Sequence, residues 1–229
     1  MEPLGPKLAE GRDSEIFEHG PGRVLRRSRD GRSLVSEAEI MRYVLDAGYP
    51  VPRVHDAGEG FLVMDRVDGP SMLDVAARHP WRLGEYGRLL ADLHRRLHDL
   101  PAPPGLPSAG VPGDRLLHRD LHPLNVLMPE GGPVVIDWAN CAAGDPAYDV
   151  ADTWVLFATA EVPGGRRDRA LAAVGRRFFL RGFLRASDRD AARAAIPAAV
   201  ENRLTDRNMS EREKERMRAM ARKAAAAAG

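Results

Sequence analysis

At 229 residues the chain is long enough to bury a substantial core, as one large domain or two small lobes. Its 44% hydrophobic and 29% charged content lies well away from disorder, no apolar run approaches the ~20 residues that span a bilayer, and a single cysteine, Cys141, excludes an internal disulfide framework. The net charge of +1 is unevenly placed: residues 161–229 carry 17 Lys/Arg against 9 Asp/Glu, which leaves −7 for the first 160.

The opening "MEPLGPKLAEGRD" has neither the basic nor the apolar region of a secretion signal, and with one cysteine this suits a soluble protein of a reducing cytoplasm. Residues 7–28 read as short strands separated by the turn clusters "GRDS" and "HGPG". In "SLVSEAEIMRYVLDAG" Leu34, Ala38, Met41 and Leu45 recur at helical spacing, and Gly48 closes the helix. "RVHDAG" and "GFLVMDRV" read as a hairpin turning at "GEG". Residues 1–67 therefore form a small antiparallel sheet with one helix inserted after its third strand, an N-lobe.

Residues 68–229 make a helix-rich C-lobe. Residues 71–99 read as helical, with an apolar stripe at Leu83, Tyr86, Leu90, Leu93 and Leu97. "PAPPGLPSAGVPG" is a loop, and the short strands "RLL", "NVLM" and "PVVID" follow, the last two joined by "PEGGP". From Asp145 onward the pattern is helical, with breaks at "VPGG", "RASDR" and "TDRNMS", and no internal repeat is present. The basic C-terminal segment alternates charge sign at helical spacing and has few aromatics, so it reads as a solvated helix face and not as a nucleic-acid surface. The final "AAAAAG" is low-complexity and is expected to fray.

Between the strands lies a polar cluster. "HRDLHPLN" matches the catalytic-loop signature of protein kinases at His118, Arg119, Asp120, Leu121 and Asn125. With "VVIDW" and "GDPAYDVAD" following in order, and weaker matches in "LAEGRDSEIF", "RVLRR", "SEAEIMRYVL" and "FLVMDRVDG", the chain resembles the kinase-like superfamily over roughly residues 7–160. Within it, it resembles the aminoglycoside phosphotransferase family of small-molecule kinases. The resemblance implies a two-lobed α+β kinase-like fold with its active site in the cleft between lobes, and ATP-dependent phosphorylation of a hydroxyl on a small molecule, an antibiotic or a metabolite.

It also implies roles. Asp120 is the catalytic base, and Asn125 and Asp137 are oxygen ligands for Mg²⁺ bound to ATP. His118 is structural, His122 is accessory or scaffold, and Asp149 braces the catalytic loop. Gly11 and Ser14 lie where kinases carry a glycine-rich phosphate loop, though Gly11 is alone there. Arg26 stands where the family usually has lysine; its planar, permanently charged fork can still bind phosphate. Glu37 is its expected partner, with Glu39 the other candidate. Met64, Asp65 and Val67 fall at the inter-lobe hinge, where backbone groups would meet a purine edge.

His94 and His98, at i and i+4, have zinc spacing without a third ligand, and read as packing beneath the loop. Only "ANCAAGDPAY" and Trp138 separate Asp137 from Asp149, too short for a peptide-docking segment, so a small-molecule acceptor is expected, with no nucleic-acid or membrane partner, and the sequence carries no sign of an oligomeric state. Glu201, Asp206 and Glu211 are candidates for a local acidic pocket. A nucleotide-binding pseudokinase remains the alternative, favoured by Arg26 and the glycine-poor loop.

Overall fold

A computed structural model describes residues 4–11, 13–161, 164–206 and 209–227. By its internal contacts the chain divides into two units. One joins the chain up to Pro70 with Val126–Cys141, and the other joins Ser71–Asn125 with the chain from Ala142 onward.

In the first unit, strands β1 (Lys7–Glu10), β2 (Ser14–Glu18), β3 (Arg23–Ser28), β4 (Val54–Gly58) and β5 (Phe61–Asp65) form an antiparallel sheet in the order β1-β2-β3-β5-β4. Helix α1 (Val35–Asp46) follows β3, as the spacing of Leu34, Ala38 and Met41 predicts. Gly48, at φ 78°, ends it in the left-handed conformation that glycine adopts at no steric cost. Alternation along the strands separates two faces. Phe17, Leu25 and Val63 cluster on one, while Arg26 is in register with Leu62 on the other.

The short hairpin of β7 (Val126–Leu127) and β8 (Val134–Val135) belongs to this unit because backbone bonds tie it there. Met128 N–H donates to the Pro70 carbonyl at 2.9 Å and Val135 N–H to that of Pro50 at 2.8 Å. Sequence order alone does not reveal this return, since the hairpin lies far along the chain from Pro50. The run "PVVID", expected as one strand closed by Asp137, pairs only over Val134–Val135, and Asp137 lies two residues past its end.

The second unit is largely helical: α2 (Met72–Arg78), α3 (Leu83–His98), α4 (Pro146–Thr159), α5 (Arg166–Arg185), α6 (Arg189–Leu204) and α7 (Glu211–Ala226). The stretch read as helical over 71–99 is interrupted by a 3-10 turn at Pro80–Arg82, where proline lacks the N–H that a continuing helix requires. Strand β6 (Arg115–Leu117) pairs antiparallel with β9 (Ala142–Gly144), a strand of small residues that its composition conceals.

Helices α3 and α5 cross at glycines. A Cβ built on Gly87 would lie 2.2 Å from the Phe179 carbonyl oxygen, and one on Gly182 would lie 2.2 Å from that of Gly84. Leu117, Tyr148, Val155, Ile196, Val200 and Met217 form a core shared by β6, α4, α6 and α7. Ala224 joins this core, so the alanine tract expected to fray is helical through Ala226; its last two residues lie outside the described ones. Among the described residues no helix is long and apolar enough to cross a membrane.

Candidate active site

Strand β6 delivers the chain into the loop 118–125, and buried partners hold that loop. Asp149, in the first turn of α4 and fully buried, accepts from His118 N–H at 3.0 Å, Arg119 N–H at 2.7 Å and the His98 ring at 3.0 Å. These bonds stabilise Arg119 at φ 63°, a left-handed backbone that costs a non-glycine residue about 1–3 kcal/mol. Burial pushes the Asp149 carboxyl up, but His98, His94 and His118 outweigh it and hold the group well below the usual carboxylate range.

Two residues on, the carbonyl of fully buried Leu121 accepts from the His94 ring at 3.1 Å and the Thr153 hydroxyl at 2.8 Å. Burial, opposed by Asp149, pushes the His94 imidazole down to about 4, so it is neutral at pH 7. His94, His98 and Asp149 offer ligand atoms within 4.8 Å of one another. The His98–Asp149 bond and the His94 bond to Leu121 already commit these groups to bracing the loop.

Between the braced positions, Asp120 projects with its side chain 21% exposed. Asn125 closes the loop by donating its amide nitrogen to the Asp120 carbonyl at 2.9 Å and to Asp120 Oδ2 at 3.2 Å. With the nitrogen so engaged, the amide oxygen is the group left for a cation. The His122 ring does two things: Nδ1 accepts from Leu124 N–H at 3.3 Å, and Nε2 lies 3.6 Å from Asp120 Oδ2. Asp120 Oδ1 accepts from Arg203 Nη2 on α6 at 3.0 Å. Burial raises the Asp120 carboxyl, but His122 and Arg203 together hold it far below the ordinary range, so it is ionised at neutral pH.

The first unit carries the other sequence-predicted residues. Arg26 grips Glu37 with two parallel bonds, Nη1 to Oε1 at 2.6 Å and Nη2 to Oε2 at 2.9 Å, both side chains being under a tenth exposed. Glu39, the other candidate, is exposed on α1. Burial pushes the Glu37 carboxyl up, and Arg26 pulls it back. The same Arg26 Nη1 lies 3.7 Å from Asp137 Oδ1.

Asp137, at φ 66°, shares with Arg119 the left-handed backbone found at no other described non-glycine residue. Its neighbour Trp138 is buried, donates to the Val135 carbonyl at 3.1 Å and packs edge-on against Tyr49 at 5.6 Å. That anchor turns the Asp137 carboxylate outward, 48% exposed.

At the β1–β2 turn, Gly11 N–H donates to the Ser14 carbonyl at 2.8 Å, so this amide serves the hairpin and is not free for a phosphate. Met64 pairs within the sheet between Val24 and Val54. Asp65 N–H is bonded to the Arg53 carbonyl, and the Asp65 carboxylate takes the His55 ring at 2.6 Å. Val67 follows beyond the strand, half-buried.

Sequence reasoning missed Arg203, Asp152, Thr153 and His55. One signal was present: Asp149 and Asp152, three apart in "YDVADTW", place two acids on one side of an apolar helix. Of the acidic-pocket candidates, Glu201 is exposed on α6 and Glu211 pairs with Lys214 at 3.3 Å.

Comparison with known proteins places these features in context. Residues 7–115 and 109–194 match the model of the phosphotransferase enzyme family, APH. A streptomycin 6-kinase of Streptomyces griseus is 31% identical, the match covering 42% of this chain and 42% of that protein. A probable serine/threonine-protein kinase BUD32 homolog of Archaeoglobus fulgidus is 30% identical over 44% of this chain and 42% of its own length. The chain thus matches under half the length of these curated relatives. Among solved structures, a thermostable mutant of aminoglycoside phosphotransferase APH(4)-Ia, in ternary complex with AMP-PNP and hygromycin B, is similar at TM-score 0.60 and 18% identity. That match covers 96% of this chain and 93% of the other, and it speaks to the fold.

Proposed function

Because the chain belongs to the phosphotransferase enzyme family and has its α+β kinase-like fold, we propose that it transfers the γ-phosphoryl group of ATP to a hydroxyl of a small molecule. The observation that carries this reading is the Asp120 carboxylate, kept ionised and partly exposed in a loop whose backbone is otherwise locked. In the reaction the acceptor O–H bond breaks and its proton passes to Asp120, while the acceptor oxygen bonds to phosphorus and the bond from phosphorus to the ADP oxygen breaks. Alignment is the larger contribution, because a loose phosphoryl-transfer transition state asks little covalent help of the protein.

The donor set fits a hard cation. Asp137 is an outward carboxylate on a fixed backbone, and Asn125 has its amide oxygen unspent; Mg²⁺ takes such oxygen ligands with waters and phosphates. Asn125 and Asp137 would hold it, and bound Mg²⁺ would neutralise charge on the triphosphate. Arg26, fixed by Glu37, is assigned to the phosphates, with Ser14 and the Gly11 turn covering them and the chain at Met64, Asp65 and Val67 meeting the base. The acceptor is assigned to the class of hydroxyl-bearing antibiotics and metabolites; the similarity to a streptomycin kinase supports an aminoglycoside as the first to try.

A second reading, a nucleotide-binding pseudokinase, is favoured by the Gly11 amide being spent within its hairpin and by arginine at position 26. Incubation of the purified chain with ATP, Mg²⁺ and a panel of hydroxyl compounds separates the two. The expected outcome is acceptor-dependent ADP release with a phosphorylated product. ATP binding without product for any acceptor favours the second reading.

A further inference from the structure

The carboxylate of Asp120 is held from a direction that the catalytic-loop pattern does not contain. Arg203, in the last turn of α6, donates Nε to Asp152 Oδ1 at 2.7 Å and Nη2 to Asp152 Oδ2 at 2.6 Å. The same Nη2 donates to Asp120 Oδ1 at 3.0 Å. Asp152 is 1% exposed on α4, and the Arg203 side chain is 11% exposed. A guanidinium is planar and rigid, so gripping one edge in a buried carboxylate fixes the direction of its remaining N–H groups. The neighbouring residue reinforces the grip, since Arg119 Nη2 donates to Asn202 Oδ1 at 2.9 Å. Two successive residues of α6 therefore hold two successive residues of the loop.

The two oxygens of Asp120 are consequently unequal. Oδ1 takes a charge-assisted bond from Arg203, whereas Oδ2 takes the longer 3.2 Å bond from Asn125 and has His122 Nε2 at 3.6 Å, beyond hydrogen-bond distance, which leaves it a lone pair to spare. We infer that Arg203, aimed by Asp152, is the positioning residue that sets the Asp120 rotamer and presents Oδ2 to the acceptor hydroxyl. This inference rests on the phosphotransfer reading of Asp120. A guanidinium on Oδ1 lowers the base strength of the Asp120 carboxylate in exchange for a fixed geometry. A reaction governed by alignment tolerates that exchange.

The test compares wild type with Arg203→Met, Arg203→Lys and Asp152→Asn, using the acceptor found in the panel. Misaligning a catalytic group by about 1 Å costs on the order of 10²-fold. Arg203→Met and Asp152→Asn are accordingly expected to lower kcat by about 10- to 100-fold with KM for ATP unchanged. Arg203→Lys recovers only part of kcat, since lysine supplies charge without the fork.

A purely structural role would lower the yield of folded enzyme and leave kcat per folded molecule in place. Wild-type kcat in folded Arg203→Met overturns the inference. Should that variant not fold, unchanged kcat in both Arg203→Lys and Asp152→Asn overturns it equally. The carbon-13 shift of the Asp120 carboxyl at fixed neutral pH, assigned through Asp120→Asn, reads the same contact without turnover. That resonance moves in Arg203→Met if Arg203 holds the carboxylate, and stays put if it does not. A wild type that transfers to no acceptor therefore fails the phosphotransfer reading separately.

Discussion

Asp120→Ala removes the proposed proton acceptor and nothing from the first unit, where the residues assigned to ATP reside. Loss of base catalysis and alignment is expected to lower kcat by about 10²–10⁴-fold, with nucleotide binding by calorimetry retained. Glu37→Ala does the opposite kind of damage. It leaves the buried Arg26 guanidinium with Asp137 at 3.7 Å as its remaining acid, and uncompensated buried charge costs about 3–5 kcal/mol, readable in urea unfolding.

His94 governs a pH effect. The unfolded chain protonates it near 6.5, whereas the folded protein resists until about 4. Below 6.5 the unfolded state thus binds a proton the native state refuses, and stability is lost as pH falls toward 4, by up to about 3 kcal/mol. Asp152, which burial pushes up to about 6, acts in the reverse sense over part of this window, because the native state then takes the proton first. The difference in unfolding free energy between wild type and His94→Gln isolates the histidine, and it is expected to shrink between pH 6.5 and 4.

At this scale the sequence is most readable where polar identity and spacing coincide, as in "HRDLHPLN". Arg203 is invisible because its two partners lie 51 and 83 positions away, and helical periodicity marks it only as one more basic residue.

Among the elements, the crossing of α3 and α5 depends on what glycine lacks. Each glycine inside a helix costs about 1 kcal/mol relative to alanine. Here that cost is offset by backbone approach, since a methyl at position 182 would sit 2.2 Å from a carbonyl oxygen. Gly182→Ala, favourable by propensity alone, is therefore expected to destabilise by about 1–3 kcal/mol through overpacking, lowering the thermal midpoint. Long amphipathic helices such as α3 were legible, because a stripe of five apolar residues leaves little choice of period. Short strands were legible in part: β6, β7 and β8 lie within "RLL", "NVLM" and "PVVID", but β8 ends before Asp137, and β9 is "AAG", whose pairing is set by its partner β6 and not by its own side chains.

For the molecule as a whole, charge asymmetry proved less informative than it looked. Arg177, Arg181 and Arg185 are exposed along α5, which fits the solvated face inferred from composition, while Arg203 from the same basic segment is buried against two acids. A global sum cannot tell those uses apart. The resemblance to kinases carried the architecture because its motifs are ordered along most of the chain. It could not reveal that "NVLM" through "VVIDW" closes the first unit, a property of backbone bonds to Pro50 and Pro70.

That return has a consequence for how the protein comes into being. A fragment ending at Pro70 lacks Trp138, the edge-on neighbour of Tyr49, and the two bonds from the hairpin amides; it is expected to exchange its amide hydrogens far faster than the same residues in the full chain. On a ribosome making about 5–20 residues per second, the sheet must wait several seconds, with its finishing piece still unsynthesised, before it can close. Nascent chains stalled before Cys141 should therefore be cut by protease within their first seventy residues, and chains stalled well beyond it should resist.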